Sequence, residues 1–125
     1  MNIIHIEKLK DCGVIVATGR PKYIWDLARK MQARLYHVPR SYDYFEDYPK
    51  VAEELRYVIS LENKPVIIET QSKEFLDVLL ESAIDFTLAT VRHYDEDDDD
   101  VHRLRILPKD EALSLRENFD IELRV

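Results

Sequence analysis

A chain of 125 residues with 46% hydrophobic and 34% charged residues has the size of one globular domain, and its few Asn and Gln residues follow the bias of hyperthermophile proteins. Its 18 basic and 25 acidic residues give a formal net charge of −7, which makes nucleic acid or an anionic membrane an unlikely partner for the surface as a whole. The single Cys12 excludes an internal disulfide and a cysteine-based zinc site, and the absence of a signal peptide or long apolar run predicts a cytoplasmic protein.

The first half of the chain predicts strands and two helices. Segments 2–7 and 13–18 are rich in β-branched residues, as strands are, and the apolar spacing after Pro21 predicts a helix over 21–34. Trp25 within that helix is expected to pack in the core or against the sheet rather than to serve as a platform for a ligand. A short strand over 35–38 and a second helix over 49–62 follow. Between them, acidic residues alternate with the aromatic ones, which favours loop packing or a protein contact over base stacking.

The stretch 65–83 organises the fold. Its apolar run 66–68 predicts a strand buried on both faces, and the spacing of the apolar residues after Ser72 predicts an amphipathic helix that Ser72 caps. The polar residues Glu69, Thr70 and Gln71 stand where the strand passes into the helix, the position at which open α/β sheets bind ligands. Helix capping by Thr70 and Ser72 is the simpler interpretation, and ligand binding is the alternative.

The second half predicts an antiparallel hairpin. Segments 86–94 and 101–107 alternate apolar and polar residues, and the acidic run 95–100 between them is expected to be a solvated turn that folding does not require. The four histidines are scattered, so no metal site is predicted. A short helix over 108–118 and a strand over 120–125 complete one α/β domain, 1–125, with a mainly parallel sheet flanked by helices and a C-terminal antiparallel hairpin. The strand order is not predicted.

A second strand-to-helix junction, 16–23, has the position of a phosphate-binding loop. The working motif needs two glycines, a lysine and a Ser or Thr, and here only Lys22 matches, with Gly19 nearby and Pro21 lacking an amide hydrogen. If the strands before the two junctions are parallel neighbours, both junctions lie at one edge of the sheet. Lys22 and the helix amides would then converge on one anion.

From about residue 63 to 124 the chain resembles the C-terminal part of ABC-type (SMC-like) AAA ATPase domains. In that family a hydrophobic strand ends in Thr-His-Ser, whose histidine contacts the γ-phosphate region, and a helix beginning with a phrase such as Glu-Phe-Leu follows. This chain has Thr70-Gln71-Ser72 and Glu74-Phe75-Leu76, then a hairpin with Arg-Leu-Arg at 103–105 and a closing Asp-Ile-Glu-Leu-Arg at 120–124. The resemblance implies a reduced P-loop-NTPase-like core, with ATP and magnesium as its ligand.

The departures from that family determine the expected function. Gln71 replaces the histidine, the phosphate loop is reduced to Gly19 and Lys22, and Glu69 is one carboxylate where the family has two. We therefore expect a non-catalytic ATPase-like domain that acts through protein–protein contacts, as a homodimer or with a full-length ATPase, and that needs no cofactor. The alternative is a nucleotide- or phosphate-binding protein with weak or no hydrolysis. The candidate ligand-binding residues are Gly19, Lys22, Glu69, Thr70, Gln71 and Ser72; no catalytic or metal-binding residue is predicted.

Overall fold

The computed structural model describes residues 2–4, 9, 12–38, 47–93 and 101–114. They form six strands and four helices, which in chain order are β1 (Asn2–Ile4), β2 (Val14–Gly19), α1 (Pro21–Met31), β3 (Arg34–Val38), α2 (Tyr48–Ser60), β4 (Val66–Thr70), α3 (Lys73–Glu81), β5 (Thr87–His93), β6 (Val101–Pro108) and α4 (Lys109–Ser114). The predicted acidic turn, most of the aromatic loop and the predicted terminal strand lie outside the described residues.

All six strands belong to one sheet in the order β1-β6-β5-β2-β4-β3. The four strands β5, β2, β4 and β3 are mutually parallel, whereas β6 is antiparallel to β5 and parallel to β1. The predicted α/β fold, with a mainly parallel sheet and a C-terminal antiparallel pair, is confirmed. In the β5–β6 register His93 lies opposite His102.

Helices cover both faces of the sheet, which explains why the central strands are mostly apolar. On one face, α1 packs Ile24 and Leu27 against Ile15 and Ile67. On the other face, side chains of α2, α3 and α4 form the larger core cluster, in which Val16, Ile68 and Leu88 are fully buried strand residues. Successive residues of a strand point to opposite faces, so a parallel sheet covered twice needs apolar residues at nearly every position.

Several element boundaries differ from those predicted, and two of the differences have a clear local reason. Helix α1 ends at Met31 rather than residue 34, because Gln32 adopts a left-handed conformation (φ 54°) and its N–H bonds the carbonyls of Ala28 and Arg29. Strand β4 continues to Thr70 instead of ending at residue 68, because its pairing with β3 extends to the Val38–Thr70 pair. Glu69 and Thr70 are therefore strand residues and not loop residues. Within the described part of the chain, no helix is long and apolar enough to cross a bilayer.

Candidate functional site at the carboxyl edge of the sheet

The carboxyl ends of β2 and β4 form a topological switch point. The two strands are adjacent and parallel, yet the chain leaves β2 for α1 on one face and leaves β4 for α3 on the other. Diverging connections of this kind open a crevice between neighbouring strands, and ligands of open α/β sheets bind there. Both strand-to-helix junctions singled out from the sequence lie at this edge, as predicted.

The β2–α1 junction presents positive charge at a helix start. Gly19 has φ 126°, a conformation that L-residues with a side chain rarely adopt. Arg20 is the N-cap residue but provides no side-chain cap, Pro21 follows it, and the first turn contains no acidic residue. The side chains of Arg20 and Lys22 are exposed. Two cationic side chains therefore add to the partial positive charge of the helix N-terminus.

The β4–α3 junction is a completed helix cap. The Phe75 N–H donates to Ser72 Oγ at 3.2 Å, and Ser72 Oγ donates to Glu74 Oε2 at 3.2 Å. The Ser72 N–H donates to Thr70 Oγ1 at 3.1 Å. Thr70 and Ser72 are 0% and 2% exposed. Their hydroxyl groups are used inside the fold, so the capping interpretation of these two residues is confirmed.

Gln71 differs from its two neighbours. Both its amide nitrogen and its amide oxygen are buried, and neither has a hydrogen-bond partner among the described residues. Leaving a buried donor or acceptor unsatisfied costs about 1–3 kcal/mol, and such groups are rare in folded proteins. An amide that offers both a donor and an acceptor at the switch point is therefore the strongest sign of a polar ligand among the six candidate residues.

Two buried threonines continue the polar lining on the α3 face of the sheet. Thr18 of β2 lies beside Thr90 of β5 in the strand register, and Thr18 Oγ1 donates to Thr90 Oγ1 at 3.3 Å. The side chains are 3% and 1% exposed. Neither residue was singled out from the sequence, because their proximity depends on β5 being the neighbour of β2.

Glu69 belongs to a separate cluster on the α1 face. Its side chain is fully buried, and Oε2 accepts a hydrogen bond of 2.9 Å from Trp25 Nε1. His37 Nδ1 lies 2.9 Å from Oε1, a contact that is ionic only when the imidazole is protonated. Glu69 points away from Thr70, because neighbouring strand residues alternate between faces.

The expectation that Trp25 packs in the core is wrong, because its side chain is 59% exposed. Its contact with the sheet is a hydrogen bond from the indole N–H to Glu69 of β4. The apolar spacing of α1 places Ile24, Leu27 and Ala28 on the buried face instead. His37, which is also partly exposed, was missed because no local pattern indicates that β3 pairs with β4.

The described residues contain no group of three or more His, Cys, Asp or Glu side chains that could hold a metal ion.

Comparison of the chain with protein-family models, curated proteins and solved structures found no match. The resemblance to ATPase domains accordingly rests on the motif residues alone.

Proposed function

We propose that the protein is a non-catalytic ATPase-like domain whose carboxyl-edge crevice binds a nucleotide or another phosphate compound without hydrolysing it. The observation that carries this proposal is the Gln71 amide at the switch point of the sheet, which is buried and has no hydrogen-bond partner in the described part of the chain. The resemblance places Gln71 where the related ATPases have the histidine near the γ-phosphate.

The charge of the β2–α1 junction favours an anion. Arg20 and Lys22 are exposed at a helix start without an acidic first turn, in a chain whose net charge is −7. Locally positive groups on an acidic protein select small anions over extended polyanions, because the surrounding surface repels the latter. By contrast, Glu74 already occupies the first turn of α3, so the anion is assigned to the α1 side of the crevice.

Weak or absent hydrolysis follows from the side chains that the junction provides. Glu69 is the carboxylate that corresponds to the acidic pair of a working ATPase, and it is buried beneath Trp25 on the α1 face. A neutral Gln71 amide can orient a phosphate oxygen but cannot accept a proton as a general base. We therefore propose that the protein binds the phosphate compound and does not hydrolyse it.

The test is the melting temperature of the protein in millimolar pyrophosphate or ATP, each with and without magnesium. A ligand present at about 100 times its Kd adds about 2.7 kcal/mol to the free energy of unfolding, which a melting curve resolves. The shift should be lost in Lys22→Ala and Arg20→Ala, and kept in Lys64→Ala, an exposed lysine just before the opposite end of β4.

The proposal fails if none of these compounds raises the melting temperature, or if all three variants respond as the unmodified chain does. Magnesium-dependent ATP turnover approaching about one per second, at the low end of typical enzyme rates, would contradict the non-catalytic part. Lys22→Ala distinguishes that activity from a contaminating ATPase.

A second candidate function, binding through protein–protein contacts, is favoured by exposed apolar side chains on α2. Tyr57 and Leu61 are 68% and 69% exposed and lie one helical turn apart. The partner would be a second copy of the chain or a full-length ATPase. Sedimentation of the unmodified chain and of a Tyr57→Ser/Leu61→Ser variant tests self-association: a concentration-dependent dimer that the variant abolishes supports it, and a monomer at all concentrations excludes the homodimer.

A further inference from the structure

Trp25 has an exposed aromatic ring whose orientation is fixed by a hydrogen bond to a buried side chain. Its side chain is 59% exposed, while its indole N–H donates to a carboxylate that is fully buried. Burying a carboxylate is unfavourable unless hydrogen bonds or charges compensate for the lost hydration. Among the described residues, Trp25 donates a hydrogen bond to Glu69, and the partly exposed His37 lies 2.9 Å from it. A buried acid thus holds the indole ring at the surface.

The ring lies next to the positive helix start. Trp25 is three residues after Lys22 on α1, so the two side chains are neighbours on one face of the helix, with Cβ atoms about 5–6 Å apart. Arg20 lies at the N-cap of the same helix. Glu69, which anchors the ring, is two residues before Gln71 on the strand that borders the crevice. A cationic group and a flat aromatic surface therefore stand one helical turn apart at the switch point.

We propose that Trp25 is the base-stacking platform of the site: one face of its indole ring binds the planar base of a nucleotide whose phosphate contacts Arg20 and Lys22. The inference rests on the phosphate-binding function proposed above and narrows the ligand class from any phosphate compound to a nucleotide. Stacking on a tryptophan tolerates different bases, because every base has a π-face, so this contact provides affinity for nucleotides as a class.

Trp25 is the only tryptophan of the chain, so its fluorescence reports directly on the platform. The unmodified protein is titrated with adenosine 5′-monophosphate and, separately, with ribose 5-phosphate, which has the same phosphate but lacks the base. The first compound should change the fluorescence and bind about 5- to 150-fold more tightly than the second, the range that a stacked base contributes. Calorimetric titration gives both affinities independently of the fluorophore.

Three variants complete the experiment. Trp25→Ala should bind the two compounds with equal affinity, whereas Trp25→Phe keeps a ring and should retain part of the preference. Leu113→Ala removes an exposed apolar side chain from α4, on the opposite face of the sheet, and should leave the preference unchanged. Circular dichroism and a melting curve of each variant verify that it is folded, because Trp25→Ala and Trp25→Phe also remove the hydrogen bond to the buried Glu69.

The outcomes separate the two proposals. Equal affinities of the unmodified protein for both compounds would overturn the platform while leaving phosphate binding in place. No binding of either compound would overturn both. Self-association of the unmodified protein that Trp25→Ala abolishes, without a preference for the nucleotide, would assign the ring to a protein contact and overturn the platform as well.

Discussion

Substituting Ser72 by alanine distinguishes a helix cap from a ligand contact. The change removes the acceptor of the buried Phe75 N–H. Loss of an N-cap hydroxyl costs about 1 kcal/mol, and an unsatisfied buried N–H costs about 1–3 kcal/mol, so we expect Ser72→Ala to lose about 1–2 kcal/mol of the free energy of unfolding. For a chain of 125 residues the entropy of unfolding is about 0.26 kcal/mol/K, so the Tm should fall by about 4–8 °C.

The assay is thermal unfolding followed by circular dichroism, with Ser72→Thr as the variant that keeps the hydroxyl and with it most of the stability. Because Ser72 is assigned to the fold and not to the ligand, the Tm increase produced by pyrophosphate should be the same in both variants as in the unmodified chain. An unchanged Tm in Ser72→Ala combined with a lost response to pyrophosphate would refute the capping argument and return Ser72 to the ligand site.

Three further predictions concern backbone conformation and pH. Gly19→Ala should lower the free energy of unfolding by about 1–3 kcal/mol in a urea titration, because Gly19 has φ 126°; a loss below the error of the titration would contradict the strain. Gln32→Gly should raise Tm, because Gln32 holds φ 54° at the end of α1; an unchanged or lower Tm would count against it. The Tyr36 hydroxyl donates to Glu62 Oε1 at 2.8 Å; this bond lowers the pKa of Glu62 below 4.5 and raises the pKa of Tyr36 above 10.0. A lowered carboxyl pKa stabilises the fold above about pH 4.5, and this stabilisation is lost as the pH falls through the lowered pKa of Glu62. A raised phenol pKa stabilises the fold below about pH 10, and this stabilisation is lost as the pH rises through the raised pKa of Tyr36. The Tm difference between Tyr36→Phe and the unmodified chain should therefore be largest between these limits and shrink outside them, and a pH-independent difference would argue against the bond.

The secondary structure could be predicted because its signals are local. Each signal lies within a few consecutive residues: Pro21 at the start of α1, the apolar run of β4 and the Ser72 cap. The predicted elements follow these signals. The order of the strands could not be predicted, because the pairing of β1 with β6 and the pairing of β3 with β4 join distant segments of the chain. Several sheet orders satisfy the same alternation of apolar residues.

The candidate site divides in the same way. The capping roles of Thr70 and Ser72 follow from residue types and spacing within one segment, and the structure has them. The cluster of Trp25, His37 and Glu69 joins a helix to two strands. Trp25 and Glu69 are 44 residues apart in the sequence. No sequence pattern predicts that a strand glutamate accepts a hydrogen bond from a tryptophan on the far side of a crossover.

The pairing of β1 with β6 also bears on the order in which the chain can fold. Asn2 lies opposite Val101 in that register, so β1 acquires its neighbour only after about a hundred further residues have been made. Strands β2, β4 and β3 and their connecting helices can assemble during synthesis, since each pairs with a segment that is already present or follows soon after. Closing a loop of about a hundred residues carries a larger entropic cost than closing any of the shorter connections. We therefore expect β1 to dock last, so its amide hydrogens should become protected from exchange later than those of β2 and β4 in a pulse-labelling experiment.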